Sequence, residues 1–241
     1  MEKNKVSVDI ILPVYHGNLK ELEWSINNQV NSYNRILKEY NWRVIISING
    51  KNPEEIIKLS EILSKKYKNV EYLYTKIPGK GSGVINGWIK SKAEIRVYMD
   101  IDLSVELKCL PNLIKKIEQG YDLSIGSRYI KGSKVKRSFK RKIISIIYHL
   151  FLLKIFMGVR YKDAQCGFKA VNKKVVETIL PLVKDKFWFF DSELLYITGK
   201  KGLKIVEVPV IWDESRFSSL NLLNAIKQFL IKMIELRFRK I

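Results

Sequence analysis

The chain has 241 residues, enough for a full hydrophobic core, and carries 44 Lys plus Arg against 24 Asp plus Glu, a formal net charge of +20. Such an excess calls for an anionic partner, whether nucleic acid, a membrane surface or a phosphorylated substrate. Two cysteines, Cys109 and Cys166, lie far apart without metal-ligand spacing, which excludes a disulfide framework and reads as reduced thiols in a cytosolic compartment.

Met1 leads through charged residues into a short apolar strand, with neither the longer apolar stretch nor the small-residue cleavage site of a secretory leader, so the expected start is cytosolic. Val6 to Val14 reads as a buried strand that Pro13-Val14-Tyr15-His16-Gly17 stops and turns into a loop. A helix from about Leu19 to Tyr40 follows, then a strand, Trp42 to Ile48, closed by the turn-rich Asn49-Gly50-Lys51-Asn52-Pro53 and a second helix. Val70 to Thr75 is a third strand. Next comes Gly79-Lys80-Gly81-Ser82-Gly83 before a helix through Lys90. It is neither Gly-x-Gly-x-x-Gly nor a phosphate loop ending in Gly-Lys-Ser/Thr. It reads either as a flexible turn or as amides and a lysine presented to a diphosphate at a helix N-terminus.

The fourth strand, Glu94 to Met99, delivers Asp100-Ile101-Asp102 at its end. Regular alternation of strand and helix predicts an α/β fold with a mostly parallel sheet covered on both faces. In such a sheet the carboxyl ends of the strands form the ligand crevice. An acid-x-acid pair there can hold a divalent metal against a diphosphate, although the same pair is common in solvated turns. A helix from about Leu110 to Gln119 and a strand, Tyr121 to Ile125, then lead into Gly126-Ser127-Arg128.

From Lys131 to Lys142 there are seven basic residues and no acid, followed by the apolar Ile143 to Met157. On a helix Ser138, Lys142, Ser145 and His149 share one narrow stripe. That stretch is shorter than the roughly 20 apolar residues that span a bilayer. A basic run beside a short, one-sided apolar helix is the pattern of a segment lying in a membrane interface, with Lys136, Arg137, Lys140, Arg141 and Lys142 meeting anionic headgroups. The competing reading is a core helix beside a solvated charge run. Leu220 to Ile241 repeats the theme, with apolar positions at helical spacing and basic residues interleaved. No nucleic-acid-binding motif accompanies the charge, and its neighbours are aliphatic rather than spaced stacking aromatics, so nucleic acid is set aside. Asp191 and Glu193 follow four aromatics, Phe187 to Phe190, a costly place for carboxylates unless they are paired, functional or capping a helix.

The ordered series Pro13-Val14-Tyr15, Lys80-Gly81, Met99-Asp100-Ile101-Asp102, Gly126-Ser127-Arg128, Asp163-Ala164-Gln165-Cys166-Gly167-Phe168-Lys169, Phe190-Asp191-Ser192-Glu193-Leu194-Leu195 and Val208-Pro209-Val210-Ile211-Trp212 resembles the family 2 inverting glycosyltransferases of GT-A fold. Within them it is most similar to the dolichyl-phosphate β-glucosyltransferase and dolichol-phosphate mannosyltransferase branch. The resemblance implies transfer of one sugar from a nucleotide diphosphate sugar to a polyprenyl phosphate, with Mg²⁺ or Mn²⁺, by a protein peripheral on the cytosolic face of a membrane. It implies a nucleotide-sugar half, 1–130, and an acceptor half, 131–241, with amphipathic helices near 138–157 and 220–240, in one domain. By resemblance Pro13, Tyr15, Asn49, Lys80, Gly81 and Asp100 hold the donor and Asp102 holds the metal. Arg128, Gln165 and Lys169 meet the acceptor phosphate, and Asp100, Asp102, Arg128, Asp191 and Glu193 carry the catalysis. Two positions depart from the family pattern: Asn49 stands where Asp is usual, and His16-Gly17 where Asn-Glu is usual. A glycan or protein hydroxyl as acceptor would need a base, with Asp191 or Glu193 the candidate, and an inactive nucleotide- or lipid-binding homologue is the non-enzymatic alternative.

Overall fold

The computed structural model describes residues 5–136, 158–213 and 222–240. The expected helix at 138–157, with Arg137, Lys140, Arg141 and Lys142, falls outside the described residues. The expected elements of the first half are all present. They are β1 (Ser7–Val14), α1 (Leu19–Ile36), β2 (Asn41–Asn49), α2 (Glu54–Lys66), β3 (Val70–Thr75), α3 (Lys80–Lys90), β4 (Ile95–Met99), α4 (Leu110–Glu118) and β5 (Leu123–Ser127). After a short β6 (Lys134–Lys136) follow β7 (Phe168–Asn172), α5 (Lys173–Thr178), α6 (Phe190–Lys200), β8 (Ile205–Pro209), β9 (Ile211–Asp213) and α7 (Leu222–Phe238).

Seven strands form one sheet in the order β3-β2-β1-β4-β7-β5-β8. Strands β3, β2, β1 and β4 are parallel, and so are β5 and β8. Between the two groups lies β7, antiparallel to both β4 and β5. A second, two-stranded sheet pairs β6 with β9.

The period-2 alternation of the strands sorts their side chains into two cores. Val8, Ile10, Leu12 and Val14 of β1 join Leu22, Ile26 and Tyr33 of α1 and Leu113, Ile114 and Ile117 of α4 on one face. Ile11 of β1 and Tyr98 of β4 point the other way, into Val84 and Trp88 of α3, Leu194 and Leu195 of α6 and Met233 and Leu236 of α7. Because both faces are covered, the central strands read as continuous apolar runs.

The short elements β6, α5, β8 and β9 were not predicted, and three further features differ from the sequence reading. The first helix stops at Ile36 instead of Tyr40, where the Leu37 and Tyr40 side chains turn into the core and the chain bends back to β2. β5 begins at Leu123, since the Asp122 carboxylate accepts from the Lys204 amide (2.8 Å) and Asn172 Nδ2 (2.9 Å) and tethers the chain before the strand. The strand β7 was not anticipated. It has five residues with a lysine second, and its pairing partners, β4 and β5, lie far back in the chain.

Helix α3 lies directly on β1. A Cβ added to Gly87 would come within 2.6 and 2.7 Å of Ile11 Cγ2 and Cγ1. Gly87→Ala should therefore push α3 off the sheet and lower unfolding stability in urea by about 1–3 kcal/mol, as overpacked cores do. An unchanged midpoint would mean that α3 is free to shift.

Candidate active site

The carboxyl ends of β1, β2 and β4 open on one edge of the sheet, and the start of the antiparallel β7 arrives at the same edge. Two helices, α3 and α6, begin there. The residues singled out in the sequence converge on this edge, with the exceptions described below.

At its centre is Asp191, in the first turn of α6 and 1% exposed. Its Oδ1 accepts from Lys169 Nζ at 2.6 Å and from the Tyr98 hydroxyl, and Lys80 Nζ lies 3.6 Å from its Oδ2. Burial alone would raise the Asp191 carboxyl, but Lys169, Lys80 and Tyr98 together hold it below the ordinary carboxylate range. Burial and the Asp191 charge push the Tyr98 phenol well above its usual value, so it is a donor to Asp191. Lys80 is the first residue of α3, and its Nζ also pairs with Asp100 Oδ1 at 2.8 Å. Burial works against its charge, but Asp100 and Asp191 outweigh it and raise the lysine above its ordinary value. Its ammonium stands over the rings of Tyr98 and Trp188, 5.3 and 5.1 Å from their centroids.

Lys169 is fully buried. Its three donors go to Ala164 O (3.1 Å), Cys166 O (2.7 Å) and Asp191 Oδ1. Arg128 is likewise enclosed. Nε and Nη2 form a fork with the two oxygens of buried Asp163, at 2.7 and 2.8 Å, the Arg128 amide adds a third bond, and the guanidinium lies 4.6 Å from the Trp212 ring centroid. Both cations were expected to meet acceptor phosphate. In the structure Arg128 is engaged by Asp163 and Lys169 by Asp191, both buried carboxylates. Gln165 is partly exposed, and its Nε2 donates to Ser192 Oγ at 2.7 Å.

Asp100 and Asp102 leave β4 in different directions. Asp100 lies against Gly167, where an added Cβ would fall 1.9 Å from its Oδ2, so only glycine leaves room for this carboxylate. Burial raises the Asp100 carboxyl against the pull of Lys80. Asp102 turns toward Ser104, whose amide and hydroxyl donate to its two oxygens at 2.9 and 2.8 Å, and Leu103 between them takes a left-handed φ of 51°. Each Asp102 oxygen keeps a lone pair free. Among the described residues no three His, Cys, Asp or Glu side chains gather into a metal site. A hard cation held by one or two carboxylates and completed by substrate phosphate and water matches this oxygen donor set.

The donor-side residues form the wall of the crevice. Tyr15 is half exposed at the end of β1, whereas Pro13 is buried behind α3 near Gly83. Asn49, also buried, ties two segments together: its Nδ2 donates to Val14 O (2.8 Å) and its Oδ1 accepts from the Gly79 amide (2.9 Å). The side-chain amide is thus used as donor and acceptor at once, a double role that a carboxylate cannot fill. Gly79 has φ 114° and its missing Cβ would sit 2.1 Å from Lys186 O, which makes glycine obligatory at this turn. Gly81 allows α3 to approach Phe190 of α6.

Glu193 stands apart from the centre. It accepts from the amides of Lys184 and Asp185 and pairs with Arg239 Nη1, just beyond α7, at 2.7 Å, which makes it a structural partner of the 184–190 segment. Of the expected interface cations, Lys136 ends β6 exposed, 3.6 Å from Asp213. Sequence reasoning missed Tyr98, Asp163, Asp185 and Trp188 at or beside the site. Asp163 stood inside a quoted motif, while the others carried no spacing signal.

Asn49→Asp should destabilise the protein by about 1–3 kcal/mol at neutral pH, because a carboxylate oxygen would face Val14 O. Once protonated, the introduced carboxyl could donate to that carbonyl, so its pKa in the folded state would lie above the unfolded value. The variant's deficit should then be small near pH 4 and grow as pH rises, which denaturation at acid and neutral pH measures. A deficit independent of pH would contradict the donor role of Nδ2.

Residues 9–180 match the family model for glycosyl transferase family 2. The chain is 33% identical over 211 residues to a dolichol-phosphate mannosyltransferase of Pyrococcus furiosus, covering 85% of this chain and 56% of that protein. It is 26% identical to glycosyltransferase AglD of Haloferax volcanii over 92% of this chain and 35% of that one. It therefore spans about a third to about half of these two relatives. A dolichyl-phosphate beta-glucosyltransferase of Dictyostelium discoideum is 29% identical over 98% of this chain and 75% of its own length. Glucosyl-3-phosphoglycerate synthase from Mycobacterium tuberculosis, crystallised with Mn²⁺, UDP and glucosyl-3-phosphoglycerate, superposes with a TM-score of 0.68 at 14% identity, covering 97% of this chain and 80% of that one, and so shares the fold. With its seven-stranded sheet, its acid-x-acid turn at the end of β4 and a family match that spans most of its length, the chain belongs to glycosyl transferase family 2.

Proposed function

We propose that the protein transfers one sugar from a nucleotide diphosphate sugar, UDP-glucose-like or GDP-mannose-like, to a polyprenyl phosphate with inversion, at the cytosolic face of a membrane. The observation that carries this reading is the state of Asp191. It is one of the two carboxylates the sequence offered as a base, yet it is buried, ionised and held by Lys169, Lys80 and Tyr98. A carboxylate so stabilised is a poor proton acceptor. The site therefore suits a nucleophile that arrives already anionic. A phosphate monoester, with a second pKa near 6, is mostly dianionic at neutral pH and needs no base. The dolichyl-phosphate acceptors in the names of the Pyrococcus and Dictyostelium relatives support the same choice.

A phosphate oxygen of the acceptor attacks the anomeric carbon, the bond from that carbon to the donor diphosphate breaks, and a single displacement inverts the centre. Mg²⁺ or Mn²⁺ held by Asp102 would supply positive charge to the departing diphosphate. Lys80, at the N-terminus of α3, brings a fixed cation and the positive end of a helix to the same crevice. Asp100 orients Lys80, and Arg128 and Lys169 keep the 163–169 turn in place beneath it. Tyr15 and the Asn49 turn line the side where the nucleoside would rest. The departure at Asn49 is accommodated by its two backbone contacts and does not by itself argue for an inactive protein.

Support for a membrane surface comes from the charge of +20 and from α7, where Ile231, Ile234 and Phe238 form an exposed apolar stripe at helical spacing. No helix among the described residues is long and apolar enough to cross a membrane.

Incubation with labelled UDP- and GDP-sugars and a short polyprenyl phosphate should yield a labelled lipid only when Mg²⁺ or Mn²⁺ is present. Asp102→Ala should retain less than roughly a tenth of the activity while folding normally, and wild-type turnover by this variant would overturn the metal assignment. Asp191→Asn should lose less than the roughly 10² to 10⁴ that removal of a general base costs. A loss at the top of that range, with intact fold and donor affinity, would return Asp191 to the role of base and the acceptor to a hydroxyl.

A further inference from the structure

The segment that joins the 3₁₀ turn at Leu180–Leu182 to α6 forms one wall of the crevice, and it is fastened from behind. The Asp185 Oδ1 accepts from the amides of Phe187 (2.8 Å) and Phe190 (3.0 Å), while its Oδ2 takes an ion pair from Lys232 of α7. Glu193 accepts from the amides of Lys184 and Asp185 and pairs with Arg239, whose Nη2 also donates to Leu182 O at 2.9 Å. Lys232 stands over the Phe187 ring as well. Two acids thus organise the segment's backbone, and two cations from the C-terminal helix and its end neutralise those acids.

The front of the same segment touches α3. Lys186 O accepts from the Ser82 amide at 3.0 Å and abuts Gly79, and Trp188 lies beneath the Lys80 ammonium. An unbroken line of contacts therefore runs from α7 through Asp185 and Glu193, across residues 184–190, to the first turn of α3 and Lys80.

We propose that Lys232 and Arg239 form a latch that sets the position of Lys80, with Asp185 and Glu193 as positioning residues for the transfer reaction. The inference rests on the proposed function for its kinetic consequence but not for its structural one. Release of the latch leaves the 184–190 amides without their acceptors held in place, so the Lys186 carbonyl and Trp188 draw back from α3. The donor then meets a displaced Lys80. α7 also carries the exposed residues Ile231, Ile234 and Phe238.

The test compares Lys232→Ala and Arg239→Ala with Lys232→Arg as the conservative variant and Arg237→Ala, an exposed cation of the same helix, as the control for net charge. Amide hydrogen exchange in the full chain should quicken in 184–190 and also in 79–83 for the two latch variants, and remain as in the wild type for Lys232→Arg and Arg237→Ala. The donor KM should rise roughly 2- to 30-fold, the range of couplings carried through packed contacts, and Lys232→Arg should restore it. Faster exchange confined to 184–190 with an unchanged donor KM would overturn the proposal, as would Arg237→Ala behaving like Lys232→Ala. If the wild type transfers no sugar to polyprenyl phosphate, the proposed function fails, while exchange at 79–83 still decides the latch.

Discussion

A carboxylate with 1% of its surface exposed cannot remain ionised without compensating charge, and the neutralisation of Asp191 by Lys169 and Lys80 is the constraint on which the rest of the site depends. Each partner comes from a different part of the fold. Lys169 arrives on β7, which places it opposite Tyr98 of β4 and Ile125 of β5. Lys80 arrives at the first turn of α3. For the three to meet, an antiparallel strand has to be inserted into an otherwise parallel sheet, and two helices have to begin at the same edge. The glycines at 79, 81 and 167 are the steric conditions for that approach. Charges buried this way contribute less to stability than to a single arrangement of the crevice, since removing one partner would strand the others.

The same constraint leaves Asp191 engaged by cations, and it bears on the different partners of the two acids that follow β4. Asp100 pairs with Lys80, whereas Asp102 is tied to Ser104. Two residues apart on one turn, they differ in partner, a lysine from α3 for one and a neighbouring serine for the other.

Much of this was legible in the sequence. The strand periodicity, the turn clusters after β1 and β2 and the Asp-x-Asp at the end of β4 were all legible, because those signals are local. The partners of the charges were not legible. For Arg128 and Lys169 a sequence displays the sign of the side chain but not the carboxylate it meets, and Asp163 and Asp191 lie 35 and 22 positions away. Glu193 looked catalytic beside Asp191, yet residues two apart on a helix diverge, and it turns toward Arg239 instead. Asn49 looked like a lost carboxylate until its two backbone contacts gave the amide its own reason.

If the buried charge cluster leaves the site without a base, the chemistry of the acceptor decides the account. The most direct measurement is the initial rate of sugar transfer at neutral pH to a short polyprenyl phosphate and to the corresponding polyprenol, with the active donor and metal held constant. The account predicts glycosylation of the phosphate and no detectable product from the alcohol. Transfer to the alcohol at a comparable rate would show that the site removes a proton after all, and would contradict it.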